Sequence, residues 1–474
     1  MLTRKKIAIV GGGVAGSSTA FYLGQLGLNV TLFEKESSIS SGPPYCHLHA
    51  GGNLYREISD EQCVTLLKQS IEFVRAYPFA IDYRPTVIAI PKTDRSTPEA
   101  LLPRLTLLKK EYEASIEKDP QNEVLGRSEE YYKLYHKEEI EALKNAPIQK
   151  QPKSLDEWMV PALQQLDLSK VQFPLIMVQE YGINLFRFAS GLELAIDKMA
   201  NVTFKPNTTV TNIEKKDNTW SIAYKSEQKK EASFDYLINA TGYKTGSIDD
   251  MLGISSEKMV EFKASYVGHW EEKENTLFPE IIIHGERGTP QGMGQLTPYP
   301  NGYFQLHGMT EEITLYEDGL VSSTNESAQA KLDSHFIRKL DHKWEENEVQ
   351  ERTTKAIAHL ANFVPSFKKA TVGAKPLFGA QQIPGDDPTL RVAEVSFPAQ
   401  DYARCEIVKV SSSLDMVDSI IANLIELGHI DVALPKRVHL NYLDESAVAE
   451  HAQALAKLRD YPEVLANRNV EKAI

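Results

Sequence analysis

Cysteine is scarce in this chain: three residues in 474, Cys46, Cys63 and Cys405, with no C-x-x-C spacing. Three cannot all pair, so neither a disulfide framework nor a dithiol redox centre is indicated, and a reducing, cytoplasmic compartment is expected. Long apolar runs are also missing. Nowhere do the roughly 18 consecutive apolar residues of a membrane span occur, which leaves only peripheral membrane contact open. The opening Met1 to Lys6 followed by Ile7 to Val10 has the look of a leader, but the run meets Gly11-Gly12-Gly13 and no apolar h-region follows. Positive charge is in deficit, with Lys plus Arg at 52 against 65 for Asp plus Glu and a net charge of −13. That balance excludes a surface tracking nucleic-acid phosphates but still permits a local basic pocket. Internal repeats and low-complexity segments are absent as well. The length exceeds what one ordinary core accommodates, so two interleaved domains with an appendage are expected.

What is present begins at once. Ile7-Ala8-Ile9-Val10 is a continuous apolar run of the kind buried in a parallel sheet, and Gly11-x-Gly13-x-x-Gly16 follows without a gap. Gly11 permits the tight turn, Gly13 removes the side chain that would block a pyrophosphate, and Gly16 lets the following helix press on the strand. Ala20 and Gly27 continue the small-residue pattern. A second strand, Val30 to Phe33, ends at Glu34, where a carboxylate can accept ribose hydroxyls and disfavours a 2′-phosphate. Gly11, Gly13, Val14, Ala15 and Gly16, with Glu34 and Lys35, are therefore the expected dinucleotide contacts. Phe234 to Tyr243 reads as a buried strand ending in Ala240-Thr241-Gly242. This strand resembles the second nucleotide-side element of two-domain flavoproteins, a resemblance that implies FAD rather than NAD, and no second G-x-G-x-x-G is present for a nicotinamide.

Between these landmarks the periodicity changes repeatedly. Glu61 to Phe73 has helical apolar spacing, Tyr83 to Pro91 alternates like a strand, and Thr97 to Leu143 is helical and highly charged. Lys109 to Lys118 and Glu129 to Lys144 read as solvated helix faces. An amphipathic helix at Ala189 to Met199 leads into strands at Val202 to Phe204, Thr208 to Ile213 and Trp220 to Tyr224. Phe262 to Trp270, Ile281 to His284 and Tyr303 to Met309 read as further strands, Ala356 to Phe363 as helix, and Arg391 to Val395 as a short strand. Ser411-Ser412-Ser413 precedes the apolar-periodic Met416 to Leu427, with hydroxyl capping and Asp415 and Asp418 marking a helix start.

This order of elements resembles the D-amino-acid oxidase-like superfamily of FAD oxidoreductases over roughly residues 1 to 425. The resemblance implies an α/β fold in which a Rossmann-type FAD-binding domain with a parallel sheet is interleaved with a substrate domain built on a mixed or antiparallel sheet. The FAD-binding domain is expected at 1–75, 171–260 and 355–425, the substrate domain at 76–170 and 261–354, and a helical tail at 426–474. Pro44-Tyr45-Cys46-His47-Leu48-His49-Ala50-Gly51-Gly52-Asn53-Leu54-Tyr55 looks like the His-x-Gly loop that passes the flavin in glycerol-3-phosphate and 2-hydroxyacid dehydrogenases. It also resembles the Trp-His-Ala-Ala-Gly run of dimethylglycine and sarcosine dehydrogenases, whose His is linked to FAD. Here Leu48 stands where those have Trp, which leaves covalent attachment open. Gly373-Ala374-Lys375-Pro376 looks like the Gly-x-Arg-Pro of amino-acid oxidases, with a monodentate ammonium replacing a bidentate clamp. The final segment departs from the family: Arg404 to Ser412 has no glycine, although a helix starting there could aim its N-terminus at the flavin C2 carbonyl.

The resemblance implies hydride transfer to flavin N5 from a C–H bond next to N or O in an amino acid, N-methyl amine or 2-hydroxy acid. The expected electron acceptor is oxygen, a quinone or an electron-transfer protein. An alcohol must lose its hydroxyl proton as hydride leaves, so a neutral imidazole nearby is useful, whereas an amine binds already deprotonated. His49 is the first candidate base, or else a loop histidine packed on FAD. Lys375 is the candidate anchor, and Tyr303 is expected to face the ring, with Gln305 and His307 at alternate positions of the same strand. His47 and His49, Val210, Ala240, Thr241 and Gly242, and Ser411 and Ser412 complete the expected cofactor contacts. Arg187 and Arg404 read better as ion-pair partners than as carboxylate anchors. Two other classes stay open: an NAD(P)H-driven monooxygenase or halogenase, for which Gly385-Asp386-Asp387 is followed by a turn-favouring Pro388, and an FAD-stabilised protein without catalysis.

Overall fold

The computed structural model describes residues 5–40, 45–49, 58–431 and 437–473, with Tyr45 and Cys46 described by backbone alone. The apolar run before the glycines forms strand Lys6–Val10, buried from Ile7 onward. Gly11 turns the chain immediately afterwards at φ +101°, and a Cβ there would lie 2.4 Å from the Ala240 carbonyl oxygen. Helix Val14–Gln25 follows. It rests directly on the turn, since a Cβ on Gly16 would fall 1.8 Å from the Gly11 carbonyl oxygen. Strand Asn29–Phe33 then lies parallel to the first, with Ile7 beside Val30 and Val10 beside Phe33.

Six strands complete this layer in the order Val395–Ala399, Tyr402–Cys405, Tyr236–Asn239, Lys6–Val10, Asn29–Phe33 and Val202–Lys205. All neighbours are parallel except the first pair. Side chains leave the central strand on alternate faces. Ile7 and Ile9 join the core containing helices Val14–Gln25 and Ser413–Glu426, while Ala8 and Val10 meet Ile213, Trp220 and Ile222 of an antiparallel three-stranded sheet over 209–234. Both faces are thus covered, which is why these strands carry no polar alternation.

The second layer is a nine-stranded mixed sheet. Its path runs Leu320–Ser322, Lys258–His269, Tyr303–Gly308, Gly294–Pro298, Glu280–Ile283, Thr86–Ala89, Leu175–Val178 and Tyr132–Tyr135, and the long strand Thr371–Pro384 also pairs with Lys258–His269. A small sheet of Tyr45–His47, Gly182–Asn184 and Ile81–Asp82 brings residues from distant parts of the chain side by side.

Several expectations are corrected here. Leu175–Val178 and Thr371–Pro384 lie in the large sheet, against which helix Glu346–Ala361 packs, and not with the nucleotide-side strands as the expected division had them. A uniformly apolar strand such as Leu-Ile-Met-Val does not say which sheet buries it. Tyr132–Tyr135, within a stretch expected to be a solvated helix face, is a strand paired with Leu175–Val178, and the helix there is confined to Lys137–Leu143. The strand expected at Arg391 to Val395 starts only at Val395. In the expected helical tail, helix Glu445–Leu458 packs on Leu185–Ile196, and Val448, Ala452, Leu455 and Ala456 are buried in the same core as the first helix.

Just past that helix, Arg459 donates to the Ser40 carbonyl (3.1 Å), the Ile39 carbonyl (2.9 Å) and the Ser38 hydroxyl (2.7 Å), with its guanidinium over the Phe186 ring. The C-terminal segment thereby holds the loop that leaves the second strand. Replacing Arg459 with Ala should lower stability by about 1–2 kcal/mol, given the worth of half-buried charge-assisted bonds. A thermal melt unchanged from wild type would show that the loop holds without it.

Candidate active site

The glycines divide into two kinds. Gly11 and Gly16 are filled against by backbone, whereas a Cβ on Gly13 or Gly242 would meet nothing within 4 Å. Gly13 caps helix Val14–Gln25 without any side-chain cap, so the first N–H groups of the helix face the opening. A cavity of about 420 Å³ starts there, bordered by Gly13, Val14, Ala15, Ser40, Ala240 and Gly242. Beside it the Glu34 carboxylate is buried and accepts from the N–H groups of Gly12 (2.6 Å) and Glu36 (2.8 Å). Burial raises its pKa and those two donors pull the other way. Open space over a glycine, a bare helix N-terminus and an acid at the end of the second strand together fit the diphosphate and ribose of FAD.

At the far side of the cavity the small sheet delivers His47. Strand Tyr45–His47 pairs with Gly182–Asn184, and the His47 ring lies between two fully buried acids: Nε2 contacts Glu180, and Nδ1 is 3.2 Å from Glu280 Oε1. Glu280 also takes a 2.6 Å bond from Arg84 Nη1, bonds from the Gln295 side-chain amide, and a 3.2 Å bond from the Thr297 hydroxyl. Arg84 reaches it past Gly182, where a Cβ would sit 2.4 Å from the guanidinium. Burial works against a charged imidazole, but Glu280 and Glu180 outweigh it and hold the His47 pKa up at about 10. Glu280, despite its burial, is kept well below the usual carboxylate range by His47 and Arg84.

Two residues on, His49 is in the opposite state. Its backbone adopts φ +53°, a left-handed conformation uncommon outside glycine. Its ring is 5.2 Å from that of His47, and Nε2 lies 3.2 Å from Lys409 Nζ. Burial first, then Lys409, His47, Arg391 and Lys263, push its pKa well below that of a free imidazole. His307, whose Nε2 is 2.8 Å from the Gln305 amide, is likewise lowered to about 4 by burial and by Lys263. Lys263, Arg287, Arg391 and Lys409 all line the same cavity, together with Glu261, which contacts both Lys263 (2.7 Å) and Arg287.

The expected site residues therefore separate. Gly13, Val14, Ala15, Ala240, Gly242, His47 and His49 border one cavity, with Gly11, Gly16 and Glu34 packed behind it. The Thr241 hydroxyl instead donates to Asn239 Oδ1 (2.7 Å), and Lys35 pairs with Glu36 (3.1 Å). Lys375 does not line the cavity: its ammonium sits over the Tyr461 ring and 3.9 Å from Asp460, drawn to the C-terminal segment. Tyr303 also lies outside the lining, stacked on His269 at 4.5 Å, although it shares a strand face with Gln305 and His307, which border the cavity. Val210 is in the three-stranded sheet, opposite Tyr224. Ser411 and Ser412 are buried behind the lining segment Val408–Val410, and the Ser412 hydroxyl donates to Gln69 Oε1 (2.7 Å) instead of capping the helix. Arg187 and Arg404 are ion-paired, with Glu445 and with Asp249. Residues 44 and 50–55 of the histidine loop lie outside the described residues.

Sequence reasoning passed over Arg84, Glu180, Glu280, Lys263 and Arg287. Two of them had a signal: an acid stands at the end of an apolar strand, Glu180 two residues past Leu175–Val178 and Glu280 as the first residue of Glu280–Ile283. A carboxylate placed there is carried into the interior and must find partners.

The fold and the dinucleotide cradle define a two-layer flavoprotein. The chain matches the family model DAO, FAD dependent oxidoreductase, over residues 6–375, and it belongs to that family: it is an FAD-dependent oxidoreductase, using a small-molecule substrate and an electron acceptor. Among solved structures it is similar to glycine oxidase from Geobacillus kaustophilus (TM-score 0.57, 12% identity, 92% of this chain and 99% of that one). It is similar also to L-alpha-glycerophosphate oxidase from Mycoplasma pneumoniae with FAD bound (TM-score 0.56, 16% identity, 93% and 98%) and to L-proline dehydrogenase from P. horikoshii (TM-score 0.53, 15% identity, 98% and 100%). At such identities the likeness is one of fold. No curated protein sequence matches the chain. Among the described residues no helix is long and apolar enough to cross a membrane.

Two outcomes follow from this geometry. Gly13→Val fills the open space over the helix N-terminus without meeting the protein, so the variant should fold but retain little FAD, read as the ratio of visible to ultraviolet absorbance; full flavin content would place the diphosphate elsewhere. For His47, a folded-state pKa of about 10 against 6.5 means its stabilisation is complete below about pH 6.5 and lost as pH rises toward 10. The stability gap between wild type and His47→Gln, measured by denaturant unfolding, should therefore narrow across that range, and a constant gap would mean the ring is not held as imidazolium.

Proposed function

We propose that this enzyme oxidises a C–H bond next to nitrogen or oxygen in a small carboxylate-bearing molecule, an amino acid, an N-methyl amine or a 2-hydroxy acid, with hydride passing to flavin N5. The observation that carries this reading is the cationic wall of Lys263, Arg287, Arg391 and Lys409 facing the same cavity that opens over Gly13. When bound, FAD supplies the two-electron acceptor. The cationic wall binds and orients the substrate carboxylate, and enclosure between the two layers excludes water.

The protonation states favour the amine form of this reading. Burial first, and then the neighbouring cations, keep His49 neutral and oppose its taking up a proton, which makes it a weak base for an alcohol. The same field lowers the pKa of a bound ammonium and so favours the free amine, the reactive species. His49 then acts as a neutral hydrogen-bonding partner, with His307 similarly neutral across the cavity. Oxygen, a quinone or an electron-transfer protein takes the electrons onward. A cytoplasmic setting goes with this reading, in keeping with the free, buried thiols of Cys63 and Cys405.

Anaerobic mixing of the yellow protein with a panel of amino acids, N-methyl amines and hydroxy acids should bleach the flavin with at least one amine. Reduction by NADPH instead, with no response to the panel, would favour a monooxygenase, and reduction by neither would point to a protein without catalysis. In the amine form, His49→Ala should change the bleaching rate by less than about tenfold, whereas loss of a base for an alcohol costs about 10²-fold or more.

A further inference from the structure

We infer that Gln305 Oε1 accepts a hydrogen bond from an N–H of the substrate, so that this cavity takes primary and secondary amines and turns away tertiary ones. The inference rests on the amine form of the reading above and narrows its substrate class.

Gln305 stands in strand Tyr303–Gly308, between Val267 of one neighbouring strand and Thr297 of the other, and its side chain borders the cavity although the residue is only 2% exposed. Its Oε1 atom accepts no hydrogen bond from the protein. A buried amide oxygen without a donor is costly and rare, and the engagements of the polar groups around it explain its state. The Gln305 Nε2 atom is turned to the His307 ring, 2.8 Å from its Nε2. On the adjacent strand, the Gln295 amide donates to Glu280 and to Thr297 Oγ1 (3.2 Å), and the Thr297 hydroxyl donates its single hydrogen to Glu280 Oε1 (3.2 Å). Lys263 Nζ is directed to Glu261 (2.7 Å) and to Gln381 Oε1 (3.3 Å). These donors are committed to Glu280, Glu261 and one another, which leaves the Gln305 oxygen for whatever fills the cavity.

Charge favours this orientation of the amide. Lys263 borders the same cavity and is the cation that most depresses the His307 pKa, after burial. An amide dipole beside such a cavity prefers to present its carbonyl oxygen rather than its hydrogens. The neutral His307 ring in turn offers an unprotonated Nε2 to the Gln305 amide, with Nδ1 3.4 Å from Thr314 Oγ1.

An amine gives up hydride in its neutral form, in which a primary amine has two N–H groups, a secondary amine one and a tertiary amine none. The first two complete the Gln305 oxygen. A tertiary amine sets a carbon against it and leaves a desolvated acceptor unpaired, the kind of mismatch by which a polar site rejects an analogue lacking the donor. An alcohol O–H serves the acceptor as an N–H does, so the selection operates among amines.

The test uses the FAD-loaded full-length protein at about pH 7.5 and a pair of flat ligands of nearly equal size, both ionised at that pH. Pyrrole-2-carboxylate carries a ring N–H next to its carboxylate-bearing carbon, and furan-2-carboxylate has in its place an oxygen that only accepts. Binding is read from the flavin visible spectrum and by calorimetry. The pyrrole should bind about tenfold or more tightly, which is the worth of one buried hydrogen bond. Gln305→Leu should bring the two affinities within about threefold of each other, and Gln305→Glu, which keeps an acceptor, should retain the order. Equal affinities in the wild type, a preference for the furan, binding of neither, or a preference that survives Gln305→Leu overturns the inference, and the wild-type comparison stands even if a variant fails to fold. A pyrrole preference with no amine of the panel reducing the flavin would sink the catalytic reading and leave N–H recognition in place. Reduction by an amine with no pyrrole preference would do the reverse.

Discussion

Glu280 is a carboxylate with no exposed surface, placed where the large sheet meets the nucleotide-binding layer. An ion buried there is tolerable only if partners reach it from both sides. They do: Gln295 and Thr297 from the neighbouring strand, Arg84 from the lead-in to strand Thr86–Ala89, and His47 from the loop that follows the dinucleotide unit. The seam between the layers is therefore set by charge and hydrogen-bond geometry as well as by apolar packing. A shift of either layer would strand an ion. Gly182 is part of the same constraint, because only a residue without a side chain leaves the Arg84 guanidinium its path.

From that seam the character of the cavity follows. His47 and His49 are two residues apart and in contact, yet acids hold one as imidazolium and burial with cations holds the other neutral. The difference comes from which wall each ring touches. His47 closes the acidic side, where every charge has a structural partner, and His49 looks toward the basic side. The cavity thus borders Glu280 beside one ring and Lys263 and Lys409 beside the other.

The sequence disclosed the nucleotide-binding half of this arrangement because its constraints are local. Gly11, Gly13 and Gly16, the flanking strands and Glu34 lie within thirty or so residues, and each answers to a turn, a close approach or a cap. His47 and His49 were legible from their short distance beyond that unit and from their loop composition. The cationic wall was not, since Lys263, Arg287, Arg391 and Lys409 are isolated residues whose meeting depends on tertiary structure. Lys375 and Tyr303 illustrate the converse: Lys375 is drawn to Tyr461 and Asp460, and Tyr303, although on the strand face of Gln305 and His307, stacks on His269 beyond the lining, partners that no local pattern announces. Domain assignment failed at Leu175–Val178 and Thr371–Pro384 for the same reason, as strand pairing is a long-range choice.

Interleaving has a consequence for how the chain is made. Strand Lys6–Val10 is synthesised ahead of its neighbour Tyr236–Asn239 by some 229 residues, the separation of Lys6 from Asp235, whose side chain accepts the Lys6 N–H. At ribosomal speeds of roughly 5–20 residues per second that is a delay on the order of 10–50 s. Throughout it an apolar parallel strand has one edge unpaired, and non-local pairing of this kind is slow even once both partners exist. The nascent protein thus passes through an interval of aggregation risk written into its topology.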